Sequence, residues 1–598
     1  MVTTRPTLQG TFGMVSSTHW LASSCAMAVL EDGGNAFDAA VAAGFVLHVV
    51  EPHLNGPAGD VPIILAPAGG RIQVLCGQGP APAGATIGHY RDALGLDLVP
   101  GTGPLAAVVP GAVDAWLTLL RDHGTKSLAQ VLTYAIGYAE DGHPAVDRIG
   151  LTVESVRELF EKEWTSSAQL YLPGGAAPKA GGMLRNPALA ATWRRLLKEA
   201  AGPGRGREAE IEAARRIWRE GFIGEAIAAH AARPAMDSSG ERHAGVLTGD
   251  DLTGWSAGYE EPVSYDWQGW TVCKAGPWTQ GPVLLQQLAL LDPGLDAAAY
   301  GTPEYVHTLI EGGKLAMADR EAWYGDSGAV PLESLLSAEY NARRRELIGE
   351  RASFELRPGA PGGRRPRIAA AALAGAERSG GAPVAGSGEP TVDRSGETRG
   401  DTCHVDVVDR WGNMISATPS GGWLQSSPVI GELGFPLGTR LQMTWLEEGL
   451  PASLTPGRRP RTTLSPSLAL RDGEPVLAFG TPGGDQQDQW QLHFFLAAAL
   501  RPAVRGGLDL QGAMDAPNWH QDSFPSSFYP RGTRPGSVTV ESRIGEETIA
   551  ELRRRGHEVT VGGPWTEGRL CAVGRDPERG VLLAAANPRG AQGYAVGR

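Results

Sequence analysis

The chain has 598 residues, a formal net charge of −13 and 42% apolar residues, with 16 Trp among them. The acidic balance excludes the basic footprint of a nucleic-acid binder, and five Cys with no C-x-x-C pair exclude a disulfide framework and a clustered thiolate centre. Length alone allows about four domains, while 82 Gly and 44 Pro imply many turns in a chain that still holds a large core.

The first residues lack a basic segment followed by an apolar one, so no secretory signal is read there. The longest apolar run, 39–50, is broken by His48 and falls short of the roughly 20 residues a bilayer span takes. A cytoplasmic protein without a membrane partner is expected, with export by another route left open. HWLASSCAMAVLEDGG predicts a helix stopped at Gly33-Gly34. NAFDAAVAAGFVLHVV predicts a second, closely packed helix, and 60–75 two short strands around a Gly-Gly turn. The pattern from Pro110 to Ala372 is mostly helical, with polar loops near 202–206 and 238–245. Residues 358–400, rich in Gly and Pro and without an aromatic residue, predict a solvated linker.

At Asp401 the texture changes to DTCHVDVVDRWGNMISATPS, which predicts a β-hairpin. Cys403, Val405 and Val407 alternate on an apolar face; Thr402, His404 and Asp406 take the other. Arg410-Trp411-Gly412 forms a three-residue loop in which Gly412 adopts the left-handed conformation. A register centred on Trp411 sets Thr402 opposite Ser420. Cutting the peptide bond before Thr402 gives it a free α-amine, of pKa about 8, that serves its own hydroxyl as general base. From these residues alone, a structural threonine at a strand start stands open beside the catalytic one.

The run Thr402-Cys403-His404-Val405-Asp406-Val407-Val408-Asp409-Arg410-Trp411-Gly412-Asn413 resembles the nucleophile segment of the γ-glutamyltranspeptidase family, which belongs to the N-terminal-nucleophile hydrolases. Further similarities follow in the family's order: 34–40 (GNAFDAA), 50–53 (VEPH), 314–320 (KLAMADR), 461–466 (RTTLSP), 480–484 (GTPGG), 515–517 (DAP) and 587–589 (NPR). The resemblance implies an α/β (α+β) fold, the four-layer αββα sandwich of that superfamily. It also implies a precursor that cleaves itself between Asp401 and Thr402 into a large subunit, 1–401, and a small one, 402–598, sharing one intertwined core. Thr402 is then the nucleophile. Ser420 assists it, Gly483 and Gly484 give the oxyanion N–H groups, and Thr462 and Thr463 help bind the substrate. Neither a cofactor nor a metal is implied. The partners are a small-molecule amide and the other subunit, with a higher homo-oligomer left open.

Two positions depart from the family. Its arginine for the substrate α-carboxylate falls near Ile87, with Arg91 as a substitute, and its aspartate for the α-ammonium falls near Met443, beside Arg440, with no acid before Glu447. An ammonium without its partner disfavours an amino-acid substrate. A γ-glutamyl enzyme, an amidohydrolase or acylase on another small amide, and a catalytically dead binding protein are the readings carried forward. Cys403 is read as a buried structural thiol, His404 as a supporting residue, Gly325-Asp326-Ser327-Gly328 as a loop, and His48 to His53 as no metal motif, because Pro52 breaks the helix between them.

Overall fold

The computed structural model describes residues 3–598 apart from 203, 205, 293–294, 296–298, 376–401 and 502–506. Fourteen strands build its centre. Before residues 376–401 lie β1 (Leu8–Gly10), β2 (Gly13–Ser17), β3 (Val61–Ala66), β4 (Gln73–Gly77), β5 (Gly258–Glu260), β6 (Val263–Trp267) and β7 (Trp270–Lys274). After it lie β8 (Val405–Asp409), β9 (Met414–Ala417), β10 (Ser467–Arg471), β11 (Glu474–Gly480), β12 (Cys571–Asp576), β13 (Val581–Ala586) and β14 (Tyr594–Gly597). They form two antiparallel sheets of seven strands, ordered β1-β13-β12-β11-β10-β7-β6 and β14-β2-β8-β9-β3-β4-β5. Strands from the two halves of the sequence are therefore interleaved in blocks within both sheets.

The helices α1 (Trp20–Glu31) and α2 (Ala36–Val50) cover the outer face of the second sheet. On the first sheet lie α3 (Pro282–Leu291), packed with α4 (Pro303–Trp323), and α5 (Gln487–Leu500). Three apolar cores follow from this stacking. One joins α1 and α2 to β8 and β9, one fills the space between the sheets, and one joins the first sheet to α3 and α5. The layers are helix, sheet, sheet, helix, as expected, and the separate domains that length allowed give way to one sandwich.

The second helix shows how the sequence aims the centre. Asn35 accepts from the N–H groups of Phe37 and Asp38, and Asp38 accepts from Asn35, a reciprocal cap. Asp409, at the end of β8, accepts the Ala36 N–H at 2.9 Å, so the positive end of the helix dipole meets a carboxylate. Every residue of α2 is buried. Its fifteen residues climb about 22 Å, and the chain from Cys403 to Asp409 covers about 20 Å. The helix thus lies along β8 and delivers Glu51 to the end where Thr402 sits.

Two expectations are corrected. The mostly helical stretch contains a hairpin, β6-β7, with Trp267 paired to Trp270 around a Gln268-Gly269 turn of positive φ (48° and 80°). Its residues alternate in the way a strand requires. The linker expected from 358 is packed in its first part: the Gly359 N–H donates to Asp319 at 2.6 Å, its carbonyl accepts from Trp323, and Ala369 and Ala372 are buried beside Trp445 and Leu450. Counting Gly and Pro over the whole segment hid this apolar IAAAAL run. The remainder, 376–400, and Asp401 lie outside the described residues. Among the described residues, no helix is long and apolar enough to cross a membrane.

Candidate active site

The β8-β9 hairpin has the register expected: Val405 pairs with Ala417 and Val408 with Met414. Continued outward, Thr402 forms an antiparallel bridge with Ser420. The Thr402 hydroxyl donates to Ser420 Oγ at 3.3 Å, and both residues are 1% exposed. Ser420 pairs in turn with Asp60, each N–H donating to the other's carbonyl at 2.8 and 2.9 Å.

The two faces of the nucleophile strand carry different chemistry. On the helix side, the Cys403 thiol donates to Glu51 at 3.0 Å and accepts from Asn55 at 3.1 Å. Glu51 also accepts from Thr18 at 2.6 Å and from Gln592. Burial pushes the Glu51 carboxyl up, against the opposing pull of Arg569 and of the Thr18 and Cys403 hydrogen bonds. Burial, with Glu51 adding to it, also pushes the Cys403 thiol well up, leaving it a poor nucleophile. The same Thr18 accepts the His404 N–H and donates its own N–H to the His404 carbonyl. Glu51 therefore braces the start of β8 from behind, a role the VEPH motif did not disclose.

On the inter-sheet side, His404 Nδ1 bonds Thr418 at 3.0 Å and Nε2 bonds Asp406 at 2.9 Å. His404 and Asp406, two apart on one strand, converge to make this bond. Its ring lies against Gly480, where any Cβ would overlap the imidazole. Both ring nitrogens are engaged there. This contact places the end of β11 over the strand, and the loop 481–484 leaves β11 at that point. Gly483 has φ 132° and Gly484 φ 53°, and a Cβ on Gly483 would overlap the Trp490 ring. Only glycine fits that backbone.

The other expected residues divide. The Thr462 N–H donates to the Trp278 carbonyl at 2.8 Å, and the buried Thr463 hydroxyl has no hydrogen-bond partner among the described residues. Arg440 is buried beside Ser420, in an ion pair with Asp60 at 2.9 Å. Arg91 does not join them. It is exposed on the short helical segment His89–Ala93, and its side chain donates to the Leu446 carbonyl at 3.4 Å. Glu447 faces outward, accepting from the Ala370 N–H and pairing with Arg367. Asp326 of the Gly325–Gly328 loop is held by Arg459.

A buried ionic hub went unread in the sequence. At the end of α4, Arg320 binds Asp485, next to Gly484, and Gln280 at 2.9 Å. Its neighbour Glu321 accepts from Arg461, next to Thr462, at 2.8 Å and from Trp445 at 2.7 Å. One helix end thus fixes three loops that surround the site. Burial opposes ionisation of Glu321, yet Arg461, Arg531 and Arg320 together hold it down to about 2.

Comparison with known proteins bears on this arrangement. The sequence profile of the gamma-glutamyltranspeptidase family matches residues 22–597. The chain is 30% identical to the glutathione hydrolase-like YwrD proenzyme of Bacillus subtilis (98% of this chain, 99% of that one). It is also 30% identical to the oxamate amidohydrolase proenzyme of Klebsiella pneumoniae (98% of each). The solved structure of LmbA2991HD is 74% identical and superposes with a TM-score of 0.95 over the whole of both chains.

Proposed function

The chain belongs to the γ-glutamyltranspeptidase family, and from that premise we propose that it is a self-processing amide hydrolase or acyltransferase whose nucleophile is Thr402 and whose acyl substrate lacks the α-ammonium of a γ-glutamyl group. The observation that carries the nucleophile is the 3.3 Å contact between the Thr402 and Ser420 hydroxyls just beyond the ends of β8 and β9.

In processing, Thr402 Oγ attacks the carbonyl carbon of Asp401. The C–N bond breaks, the hydroxyl proton passes to the departing nitrogen, and the chain is held as an ester. Water hydrolyses the ester, leaving a carboxylate on Asp401 and a free amine and hydroxyl on Thr402. That amine, with a pKa of about 8, then takes the hydroxyl proton when Thr402 attacks a substrate amide. Ser420 holds the attacking oxygen, and the N–H groups of Gly483 and Gly484 receive the charge that develops on the carbonyl oxygen. The leaving amine departs with the proton, and water or a second amine takes the acyl group.

The substrate assignment rests on the 440–446 segment. By spacing, the family's ammonium-binding aspartate falls near Met443, and Glu447 is committed to Arg367 and Ala370. Among relatives, one is named for a small amide without an amino group, oxamate. A denaturing gel of the purified protein tests the nucleophile: two bands, 1–401 and 402–598, are expected, and one band for Thr402→Ala. Splitting in that variant refutes the assignment. Efficient turnover of a γ-glutamyl anilide by the split protein refutes the substrate class.

A further inference from the structure

We infer that Arg440, clamped by Asp60, is an anion subsite that selects acyl groups bearing a carboxylate close to the scissile amide; this deepens the reading of Thr402 as nucleophile and rests on it. Asp60 is the backbone partner of Ser420, so its side chain leaves the strand within one residue of the hydroxyl pair. Its carboxylate leans over Gly421: a Cβ there would lie 2.6 Å from Asp60 Oδ1 and 3.4 Å from Arg440 Nη2. The guanidinium is therefore fixed a few ångströms from the Ser420-Gly421 backbone.

Its orientation is set as well. Nη2 donates to Asp60 Oδ1 at 2.9 Å and Nε lies 2.9 Å from Oδ2, so one edge of the fork is spent on Asp60. Nη1 faces the other way, and its described partner is the Met443 thioether at 3.6 Å, a weak acceptor. The residue is 3% exposed. Buried guanidinium donors are ordinarily met by oxygen, and a ligand carboxylate supplies it. The ring of Trp423, 5.6 Å from the guanidinium carbon, closes one side.

The polarity discriminates. Both Asp60 oxygens face Arg440, and the segment 440–446 contributes no acid, so nothing there receives an ammonium. The closeness of Arg440 to Ser420 favours a short acyl chain, because the carboxylate and the carbonyl must reach their partners together. A merely structural ion pair would fasten Asp60 equally well without setting any preference among substrates.

The test uses the split, full-length enzyme and the release of the leaving amine from three amides: ammonia from oxamate and from neutral propionamide, and aniline from a γ-glutamyl anilide. Oxamate is expected to be preferred. In Asp60→Asn/Arg440→Gln, a neutral pair of similar shape, the ratio of kcat/KM for oxamate over propionamide should fall about 10- to 100-fold, mostly through KM. A ratio unchanged in the double variant overturns the inference. If that variant fails to fold, competition on the unaltered enzyme decides: oxalate inhibiting and methylammonium not supports the subsite, and equal or reversed inhibition sinks it. An enzyme that splits and hydrolyses propionamide but ignores oxamate refutes only the subsite. A protein that neither splits nor hydrolyses any amide refutes the nucleophile, and the subsite with it.

Discussion

Exchanging Glu321 for glutamine removes one negative charge from a place where three arginines meet out of reach of solvent. Arg320, Glu321 and Arg461 are at most 1% exposed in their side chains. Arg320 lies 3.7 Å and Arg461 2.8 Å from the Glu321 carboxylate. Glutamine keeps an oxygen for the Trp445 N–H but turns its NH2 toward Arg461, so the charge and the acceptor that Arg461 used are lost together. Holding a carboxyl at about 2 instead of 4.5 corresponds to about 3 kcal/mol of stability. That agrees with the roughly 3–5 kcal/mol lost when one partner of a buried pair is removed. Because the folded-state value is depressed, the contribution is complete above pH 4.5 and fades as pH falls through about 2. Urea unfolding in the uncut Thr402→Ala background, where the two halves stay tethered, should therefore show Glu321→Gln weaker by about 3 kcal/mol at pH 7 and by clearly less at pH 3. In the split enzyme the same substitution should raise KM, since Trp445, Arg461 and Asp485 lose their common anchor. A difference below about 1 kcal/mol at pH 7, or one independent of pH, would refute the electrostatic account.

Other predictions follow from single contacts. Gly483→Ala forces a methyl into Trp490 and should lower kcat at least about 100-fold while the far-ultraviolet spectrum is preserved; a fully active variant would remove the loop from the reaction. Ser420→Ala should lower kcat about 10-fold with little change in KM and slow chain splitting, with Ser420→Thr restoring both. All five cysteines are buried and burial raises each thiol, so a thiol reagent at pH 8 should label none until the protein is unfolded. Rapid labelling of Cys403 would contradict its burial against Glu51.

What the sequence disclosed was whatever local periodicity controls. The alternation from 402 to 409 and the Trp411-Gly412 turn determine the hairpin register, and the register alone brings Thr402 to Ser420. The same kind of signal was present in 263–274 and was lost under a helical average. Contacts between distant positions left no such trace. Asp60 and Arg440 lie 380 residues apart, and nothing in either segment names the other. The VEPH and KLAMADR motifs were visible as resemblances, but the bracing by Glu51 and the hub at Arg320-Glu321 exist only once α2 lies along β8 and α4 ends among three loops. Arg91, offered by spacing as a substitute, lies exposed and touches the 440–446 segment only at the Leu446 carbonyl among the described contacts.

The interleaving of strands from the two halves of the sequence has a consequence for the life history of the enzyme. Within the second sheet, β8 and β9 are flanked by β2 and β3, so with the proposed cut before Thr402 the later fragment is gripped on both sides by the earlier one. Neither can then diffuse away without breaking five ladders, β1-β13 and β7-β10 in the first sheet and β2-β14, β2-β8 and β3-β9 in the second. Before cleavage the halves find each other as parts of one chain; afterwards an unfolded pair must meet by collision, without the high effective concentration of a tether. Maturation thus works as a ratchet: an active molecule, once unravelled, should recover far less readily than its precursor, and separately expressed halves should assemble poorly.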